Sequence, residues 1–300
     1  MNVQGTSSAR KKVLVLGSAI LDVILGVPQL PTSGQDMFAE QKESIVGGCA
    51  YNVSNILKHL QVPYDLMVPV GEGANANQIR SQLELDGHDI VLDIDTGDNG
   101  WCLSIVETDG ERTFITVPGI EHSWKEEWFD HIDMRDYDYI YISGYSFEGP
   151  SADVMLNGLK KKAAHAKIIF DPSPRASYLD KDKLETLYSL NTIIHCNRSE
   201  LHALTDEVHL ERAASSLHER TGEPVVVTLG GEGSFYINNK VLGTRSEPPV
   251  IPVDTIGAGD AHTGGFIAGL LEGKSLEDAC TLGNQMANRV VQVQGGKLPS

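Results

Sequence analysis

The residue types best suited to chemistry lie in the segment Asp254-Thr255-Ile256-Gly257-Ala258-Gly259-Asp260, which leads into an apolar run rich in small residues. Glycine and alanine leave the backbone amides of a helix's first turn uncovered, and these amides attract an anion such as phosphate. Asp260 lies at the same end of the predicted helix, where its carboxylate could accept a proton from a hydroxyl group. The segment therefore indicates phosphoryl transfer to an alcohol, although an ordinary capped helix would look similar.

The wider sequence has 300 residues with 41% hydrophobic content, enough for one large α/β domain or two small ones. Its formal net charge is -17, and it shows no cluster of lysines and arginines that would bind a nucleic acid or an anionic membrane. No run approaches the ~20 apolar residues that a membrane span requires. We expect one domain over residues 12–300, with a flexible tail at 1–11 and neither a nucleic-acid nor a membrane partner.

The cysteines carry information about the compartment. Cys49, Cys102, Cys196 and Cys280 are scattered, without a Cys-x-x-Cys pair or a metal-ligand spacing. This pattern is typical of reduced, buried thiols. Because the polar amino terminus also lacks an apolar signal core, we expect a cytoplasmic protein.

Apolar runs that indicate buried strands alternate with helical patterns along most of the chain, beginning with Lys12-Val13-Leu14-Val15-Leu16-Gly17. The alternation predicts an α/β fold built on parallel strands. Ligands bind at the carboxyl edge of such sheets, so Asp22, just beyond the first strand, could hold sugar hydroxyls. A solvated loop acid is the alternative.

A second glycine-rich turn, Gly47-Gly48-Cys49-Ala50-Tyr51-Asn52, opens a predicted helix that ends near Leu60. Glycine lets the backbone approach a ligand closely, and the Asn52 amide offers both a donor and an acceptor. Gly48 and Asn52 are therefore candidates for contacts to a polyol. A tight strand-to-helix turn that needs glycine only for its dihedral angles is the alternative.

Two segments, 35–46 and 99–118, indicate extended structure set among the strands and helices. In the second, two runs of β-branched and aromatic residues flank an acidic loop with an Asp109-Gly110 turn, which predicts an antiparallel hairpin. The two segments could form a small β lid that excludes water during the transfer. An exposed lid sheet would also be a natural surface for a homodimer.

Two later strand ends carry polar residues or glycine. Asn197 and Glu200 are three apart across a strand-to-helix turn, where they could orient a hydrated magnesium ion. A capping box explains the same pair. Thr228, Gly230 and Gly233 follow another strand, where exposed backbone could lie against a nucleotide. The alternative is a hairpin turn.

A rival signal is the segment Gly71-Glu72-Gly73-Ala74-Asn75-Ala76, between a predicted strand and a predicted helix, with Asp93 and Asp95 about 20 residues further on. This spacing is typical of a dinucleotide-binding turn and would indicate an NAD-binding oxidoreductase. Glu72 stands where the pyrophosphate would approach, which argues against that interpretation.

Together these segments resemble the ribokinase or PfkB family of carbohydrate kinases over essentially the whole chain. The resemblance implies a ribokinase-like fold, in which a Rossmann-like, mostly parallel sheet flanked by helices carries a small β lid. It also implies ATP as donor, magnesium as cofactor, and a sugar or nucleoside hydroxyl as acceptor. The matching motifs are Gly47-Gly48-x-Ala50-x-Asn52, Asn197-x-x-Glu200, Thr228-x-Gly230-x-x-Gly233 and Asp254-Thr255-x-Gly257-Ala258-Gly259-Asp260.

The resemblance assigns a role to each matching position. Asp260 is similar to the family's catalytic base, and the amides of Gly257, Ala258 and Gly259 to its anion hole. The other matches are Asp22, Gly48 and Asn52 for the sugar, Asn197, Thr228, Gly230 and Gly233 for the nucleotide, and Glu200 for magnesium and phosphate.

Members activated by potassium hold a monovalent cation beside the anion hole, and the matching positions here are Asp254, Ile256, Gly296 and Ser300. The chain departs from ribokinase itself at Ile20 and around Cys49, so the acceptor is not specified. Arg112 and Arg175 could each meet a charged substrate or lie at the surface, and the register of Glu148 is open. An inactive nucleotide-binding regulator on the same fold is a further alternative.

Overall fold

The fold is built on an eight-stranded sheet. The computed structural model describes residues 12–108, 111–296 and 298. The predicted tail at 1–11 and the predicted Asp109-Gly110 turn lie outside this part of the chain. With strands numbered in chain order, the sheet contains β1 (Val13–Leu16), β4 (Tyr64–Met67), β9 (Tyr139–Ser143), β10 (Lys167–Asp171), β11 (Thr192–Asn197), β12 (Val225–Thr228), β13 (Ser234–Ile237) and β14 (Leu242–Arg245).

The sheet is mostly parallel. Its spatial order is β14-β13-β12-β11-β10-β9-β1-β4, and antiparallel pairing occurs where β13 meets β12 and β14. All four residues of β1 are fully buried, since apolar side chains alternate to both faces and both faces are covered. The expected mostly parallel α/β sheet is therefore confirmed.

Helices cover the two faces of the sheet in two groups. Each group packs its apolar side chains into its own core cluster, because the strands between them present apolar side chains in both directions. One group is α1 (Cys49–His59), α2 (Ala74–Leu85), α7 (Ala258–Leu271) and α8 (Leu276–Val290), and the other is α3 (Ser151–Leu159), α4 (Lys181–Tyr188), α5 (Arg198–Thr205) and α6 (Leu210–Thr221).

Four strands form a separate, smaller sheet, which we call the lid sheet. They are β2 (Ile20–Gly26), β3 (Glu40–Gly47), β7 (Trp101–Val106) and β8 (Arg112–Val117), in the order β3-β2-β7-β8. The sequence predicted the three strands in 35–46 and 99–118 but not β2. Two short strands, β5 (Pro69–Val70) and β6 (Leu92–Asp93), pair with each other.

Asp22 lies in a strand, although the sequence placed it just beyond the first strand. It lies in the middle of β2, opposite Ile45 of β3 and Cys102 of β7. Side chains alternate along a strand, so Asp22 shares one face of β2 with Ile20 and Ile24. The acid therefore belongs to the lid sheet and not to the carboxyl edge of β1.

The rival dinucleotide-binding turn is also explained by the structure. The start of α2 is occupied by a carboxylate of the chain itself, because Asp98 accepts hydrogen bonds from the amides of Asn75 at 3.3 Å and Ala76 at 2.8 Å. A Cβ atom at Gly73 would lie 2.2 Å from the Asp98 carboxyl carbon, so this glycine makes room for the aspartate. No space remains there for a pyrophosphate.

One buried amide ties the lid sheet to β5 of the two-stranded sheet. Asn99, immediately before β7, accepts from the Gly71 amide at 2.9 Å and donates to the Pro69 carbonyl at 2.8 Å. Its Nδ2 also donates to the carbonyl of Ala19, at 3.4 Å, just before β2.

In the described part of the chain, none of the helices is both long and apolar enough to cross a bilayer.

Candidate active site

The glycine-rich segment at residues 254–260 leads into the first turn of α7. Gly257 has a φ of 72°, in the left-handed region, and Ala258 begins the helix. The Ala258 amide donates to the Thr255 carbonyl at 3.3 Å, whereas the described residues provide no backbone partner for the amides of Gly257 and Gly259. A Cβ atom at Gly259 would meet nothing within 4 Å. The turn therefore has free donors beside open space, which suits an anion.

Two cavities meet at this turn. The first, which we call the lid cavity, lies against the lid sheet, has a volume of about 380 Å³ and is lined by Gly257, Gly259 and Asp260. The second, which we call the glycine cavity, measures about 270 Å³ and is lined by Ala258 and Gly259. Gly259 thus borders both cavities, and an anion at the turn could bridge them.

Asp260 faces the lid cavity. Its Oδ2 accepts a hydrogen bond of 2.8 Å from Asn52 Nδ2, which fixes the carboxylate beside the start of α1. Burial, reinforced by the negative charge of Asp171, raises the pKa of Asp260 to about 7. A carboxyl group with that pKa can take up a proton near neutral pH, as a general base requires.

The three residues predicted to contact a sugar, Asp22, Gly48 and Asn52, all line the lid cavity together with Asp260. Gly48 has a φ of 104°, and a Cβ atom on it would lie 2.6 Å from the Ser18 carbonyl oxygen, so only glycine fits this turn. Burial raises the pKa of Asp22 to about 7. The cavity therefore presents an amide and two carboxyl groups that could bind hydroxyls.

The residues predicted to contact a nucleotide divide between neighbouring cavities. Thr228, Gly230 and Gly233 line the glycine cavity. Asn197 lines a separate surface groove that shares Thr228 and Gly230 with that cavity.

Asn197 and Glu200 form the capping box that was the alternative interpretation of the pair. Asn197 Oδ1 accepts from the Glu200 amide at 2.9 Å, and Glu200 Oε2 accepts from the Asn197 amide at 2.8 Å. Glu200 nevertheless reaches the lid cavity. Burial, followed by the charge of Asp171, raises its pKa.

Asp171 is a site residue that the sequence reasoning missed. It lies at the carboxyl end of β10 and lines the lid cavity, and burial raises its pKa. Its Oδ1 accepts from the Ser173 amide at 2.8 Å. The signal was present, since an acid at a strand end before Pro172 occupies the sheet edge where ligands bind.

A buried pair of histidines, one on β11 and one on α7, was also missed by the sequence analysis. His195 Nε2 lies 2.7 Å from His262 Nδ1, and His195 Nδ1 lies 3.0 Å from Thr263 Oγ1. Burial lowers the pKa of both rings, that of His262 to about 4, so both are neutral at pH 7. The pair joins β11 to the first turns of α7 and helps to fix the orientation of that helix. No sequence spacing links two histidines that are 67 residues apart.

Asp254 receives three hydrogen bonds in the structure. Arg112 Nη2 donates to its Oδ1 at 2.8 Å, as does the Ile256 amide at 2.9 Å, and the Gly295 amide donates to its Oδ2 at 3.1 Å. Gly296 packs against Ile256, where a Cβ atom would lie 3.0 Å from the Ile256 carbonyl oxygen. Of the predicted cation site, Ser300 lies outside the described residues.

The other arginine considered in the sequence, Arg175, is also paired. Its Nε and Nη2 both donate to the carboxylate of Glu148, each at 2.7 Å. Both arginines therefore have a carboxylate partner within the chain.

The sequence and the fold were compared with those of known proteins, and several are similar over most of this chain. The chain matches the pfkB family of carbohydrate kinases over residues 10–300. It is 34% identical over 293 residues to YegV, an uncharacterized sugar kinase of Escherichia coli K12, covering 96% of this chain and 91% of that protein. It is 26% identical over 302 residues to the ribokinase of Arabidopsis thaliana, covering 96% and 78%. The crystal structure of Thermotoga maritima ribokinase superposes with a TM-score of 0.83 at 23% identity, covering 96% of this chain and 95% of that one.

The chain belongs to the pfkB family of carbohydrate kinases. The family resemblance and the ribokinase-like fold expected from the sequence are thus confirmed. The protein is a phosphotransferase of a family whose kinases use ATP.

The raised pKa of Asp260 predicts a pH-dependent effect on stability. A carboxyl group that holds its proton more tightly when folded stabilises the protein below about pH 4, and this contribution is lost as the pH rises through about 7. Asp260→Asn cannot ionise. We expect its advantage over the wild type in free energy of unfolding to grow by more than about 1 kcal/mol between pH 5 and pH 8.

The measurement is urea unfolding of both proteins at the two pH values. Asp182→Asn, which changes an exposed aspartate of α4, is the matched control and should show no such growth. Equal behaviour of the two variants would mean that burial does not raise the pKa of Asp260.

Proposed function

We propose that the protein transfers the γ-phosphoryl group of ATP to a hydroxyl group of a small sugar or sugar derivative. The observation that carries this proposal is the first turn of α7, whose amides lie between two cavities while Asp260 faces the lid cavity. The acceptor would occupy the lid cavity and the nucleotide the glycine cavity, so that the γ-phosphate lies at the turn.

In the reaction, the acceptor oxygen attacks the γ-phosphorus in line as the bond to the bridging oxygen of ADP breaks. The proton of the acceptor hydroxyl passes to the Asp260 carboxylate, and ADP leaves with the electrons of the broken bond. The free amides of Gly257 and Gly259 stabilise the negative charge on the migrating group. The Ala258 amide, which donates to the Thr255 carbonyl at 3.3 Å, would join them by giving up that bond. Asp22, Gly48 and Asn52 hold the acceptor by its other hydroxyls.

On the nucleotide side, we assign Thr228, Gly230 and Gly233 to contacts with ATP, because they line the cavity that shares Gly259 with the acceptor side. Asn197 borders the neighbouring groove, where its amide positions the start of α5 and Glu200. With the acceptor in the lid cavity and ATP in the glycine cavity, the γ-phosphoryl group would lie at the boundary between the two cavities.

The residues around the lid cavity fit a magnesium ion bound with the nucleotide. Asp171 and Glu200 are acids whose pKa values are raised by burial, so a nearby cation would favour their ionised forms. Both oxygens of Glu200 already accept from Asn197, at 2.8 and 2.7 Å. Glu200 would therefore hold the ion through water, as is usual for magnesium. The ion would neutralise part of the negative charge of the phosphates.

The residues at Asp254 do not fit a bare monovalent cation as they are arranged. Arg112 and two backbone amides already donate to this carboxylate, and the guanidinium supplies the positive charge. Potassium therefore takes no part in the proposed transfer.

A regulator without activity would not require a base beside the anion-binding turn. Both features are present here. Together with the carboxylate that fills the rival dinucleotide-binding turn, they favour the kinase over the regulator and over an NAD-binding enzyme. The composition and the scattered cysteines support a cytoplasmic location.

The central prediction concerns the base. Asp260→Asn preserves the shape of the side chain but cannot accept the proton, so we expect kcat to fall by about 10²–10⁴-fold while ATP still binds. The measurements are steady-state kinetics across a panel of acceptors and calorimetric titration with a non-hydrolysable ATP analogue. Asp182→Asn serves as control, and a kcat for Asp260→Asn close to that of the wild type would refute the assignment.

The contacts of Asp254 predict that activity does not depend on potassium. Replacing K⁺ by tetramethylammonium at constant ionic strength should change kcat/KM by less than about twofold, since Arg112 already neutralises the carboxylate. A loss of more than tenfold on removing K⁺, restored by its return, would instead support a cation at Asp254.

We propose that the protein forms a homodimer through the lid sheet. β3 and β8 are the edges of this sheet, and β8 exposes Ile115 and Val117 on the face opposite to Phe114. A second copy would cover this edge. Sedimentation equilibrium should give twice the chain mass of 32.6 kDa, and Val117→Lys should shift the protein towards the monomer. A wild-type protein that is monomeric at micromolar concentration would contradict this proposal.

A further inference from the structure

Asp254 connects the two backbone segments that shape the turn at Gly257. The residue is buried, with 6% of its surface exposed. Its Oδ1 accepts from the Ile256 amide at 2.9 Å, and its Oδ2 accepts from the Gly295 amide at 3.1 Å. Ile256 immediately precedes Gly257, and a Cβ atom at Gly257 would lie 3.1 Å from the carbonyl oxygen of Gly296. The carboxylate therefore holds both segments against the turn.

One side chain compensates the charge of this buried carboxylate. Arg112 Nη2 lies 2.8 Å from Asp254 Oδ1, and among the described residues no other basic side chain forms an ion pair with Asp254. The Arg112 side chain is 22% exposed and that of Asp254 is 5% exposed, so salt in the solvent screens the pair weakly. The two backbone amides donate hydrogen bonds but carry no net charge. The guanidinium therefore supplies the positive charge that the carboxylate needs.

The guanidinium lies where the family resemblance expects a monovalent cation. Unlike a free ion, it is attached to the lid sheet, because Arg112 is the first residue of β8, which pairs with β7. Its presence beside Asp254 does not depend on the composition of the medium. Arg112 lines neither the lid cavity nor the glycine cavity, so its effect on the turn passes through Asp254.

We propose that Arg112 is a positioning residue for the phosphoryl transfer, because its guanidinium replaces a monovalent cation at Asp254 and keeps the amides of the turn in place. This inference rests on the proposed kinase function. Removal of the side chain leaves a buried carboxylate without a counter-charge, beside the space that the guanidinium occupied. A monovalent cation can enter that space and restore the charge. Loss of Arg112 therefore makes activity depend on such a cation.

The experiment compares the full-length wild type with Arg112→Ala, using ATP, magnesium and the best acceptor of a panel of charged and uncharged sugars. In tetramethylammonium chloride, we expect kcat of the variant to lie about tenfold or more below that of the wild type, because the amides of the turn are misplaced. K⁺ or millimolar guanidinium, added at constant ionic strength, should raise kcat of the variant about fivefold or more and change that of the wild type less than about twofold. KM for the acceptor should change by less than about twofold, since Arg112 does not line the lid cavity.

Two further variants serve as controls. Arg135→Ala is the matched control, because Arg135 is also paired with an aspartate, Asp133, but its side chain is 73% exposed. It should behave like the wild type in both media. The double variant Arg112→Ala/Asp254→Asn removes both charges and should lose the response to K⁺ and guanidinium.

Thermal unfolding gives a readout that does not require turnover. K⁺ in place of tetramethylammonium should raise Tm of Arg112→Ala by about 2 °C or more, since a ligand that binds the folded chain stabilises it. The wild type, Arg135→Ala and the double variant should show no such difference. If Arg112→Ala lacks a cooperative transition, Arg112→Gln, which keeps more of the side chain, takes its place in every measurement.

The outcomes separate this inference from the function on which it rests. If Arg112→Ala keeps the kcat of the wild type in tetramethylammonium, or loses activity that neither K⁺ nor guanidinium restores, the inference is wrong and the kinase proposal stands. If the wild type releases ADP with none of the acceptors, both proposals fail. Recovery of turnover with K⁺, together with stabilisation by K⁺ that only Arg112→Ala shows, is the expected result.

Discussion

The left-handed turn at Gly257 is the constraint on which the proposed chemistry depends. The turn directs the free amides at the start of α7 to the boundary of two cavities. It also places Asp260 in the first turn of that helix, three residues after Gly257. The left-handed dihedral angle favours glycine at position 257, and a Cβ atom there would also lie only 3.1 Å from the Gly296 carbonyl oxygen. The helix behind the turn is held equally closely, since Gly264 packs on Ile56 and leaves no room for a side chain.

The acids around the lid cavity show how this site differs from the rest of the interior. Burial raises the pKa values of Asp22, Asp171, Glu200 and Asp260, and among the described residues that line the cavity no lysine or arginine compensates. Each ionised acid therefore destabilises the folded chain at neutral pH. Such a cluster is understandable where a cationic cofactor and a hydroxylic ligand complete the electrostatics, and groups with strongly shifted pKa values concentrate at functional sites for this reason.

The sequence predicted the parts of the site that are contiguous in the chain. The turn at Gly257, the turn at Gly48 and the capping box at Asn197 each carry their information within a few residues, because glycine dihedrals and helix caps are local. The sequence analysis missed β2 because Ile20, Asp22 and Ile24 give only a short alternating pattern. In addition, β2 begins only a few residues after the end of β1. The long-range pairs were not predictable, since nothing in one sequence indicates that Arg112 meets a carboxylate 142 residues away.

That long-range pair links the lid sheet to the turn that we propose binds an anion. Asp254 accepts from Arg112 of β8 and also from the Ile256 amide, which immediately precedes the turn at Gly257. Its other oxygen accepts from the Gly295 amide beyond α8. One buried carboxylate thus fixes the lid sheet, the approach to the turn and the segment after α8. If the lid sheet moved away, Asp254 would lose its only charged partner among the described residues, and a buried unpaired carboxylate is costly. The position of the lid sheet and the geometry of the turn therefore depend on the same interaction, so the turn keeps the geometry proposed for anion binding while the lid sheet covers the cavity.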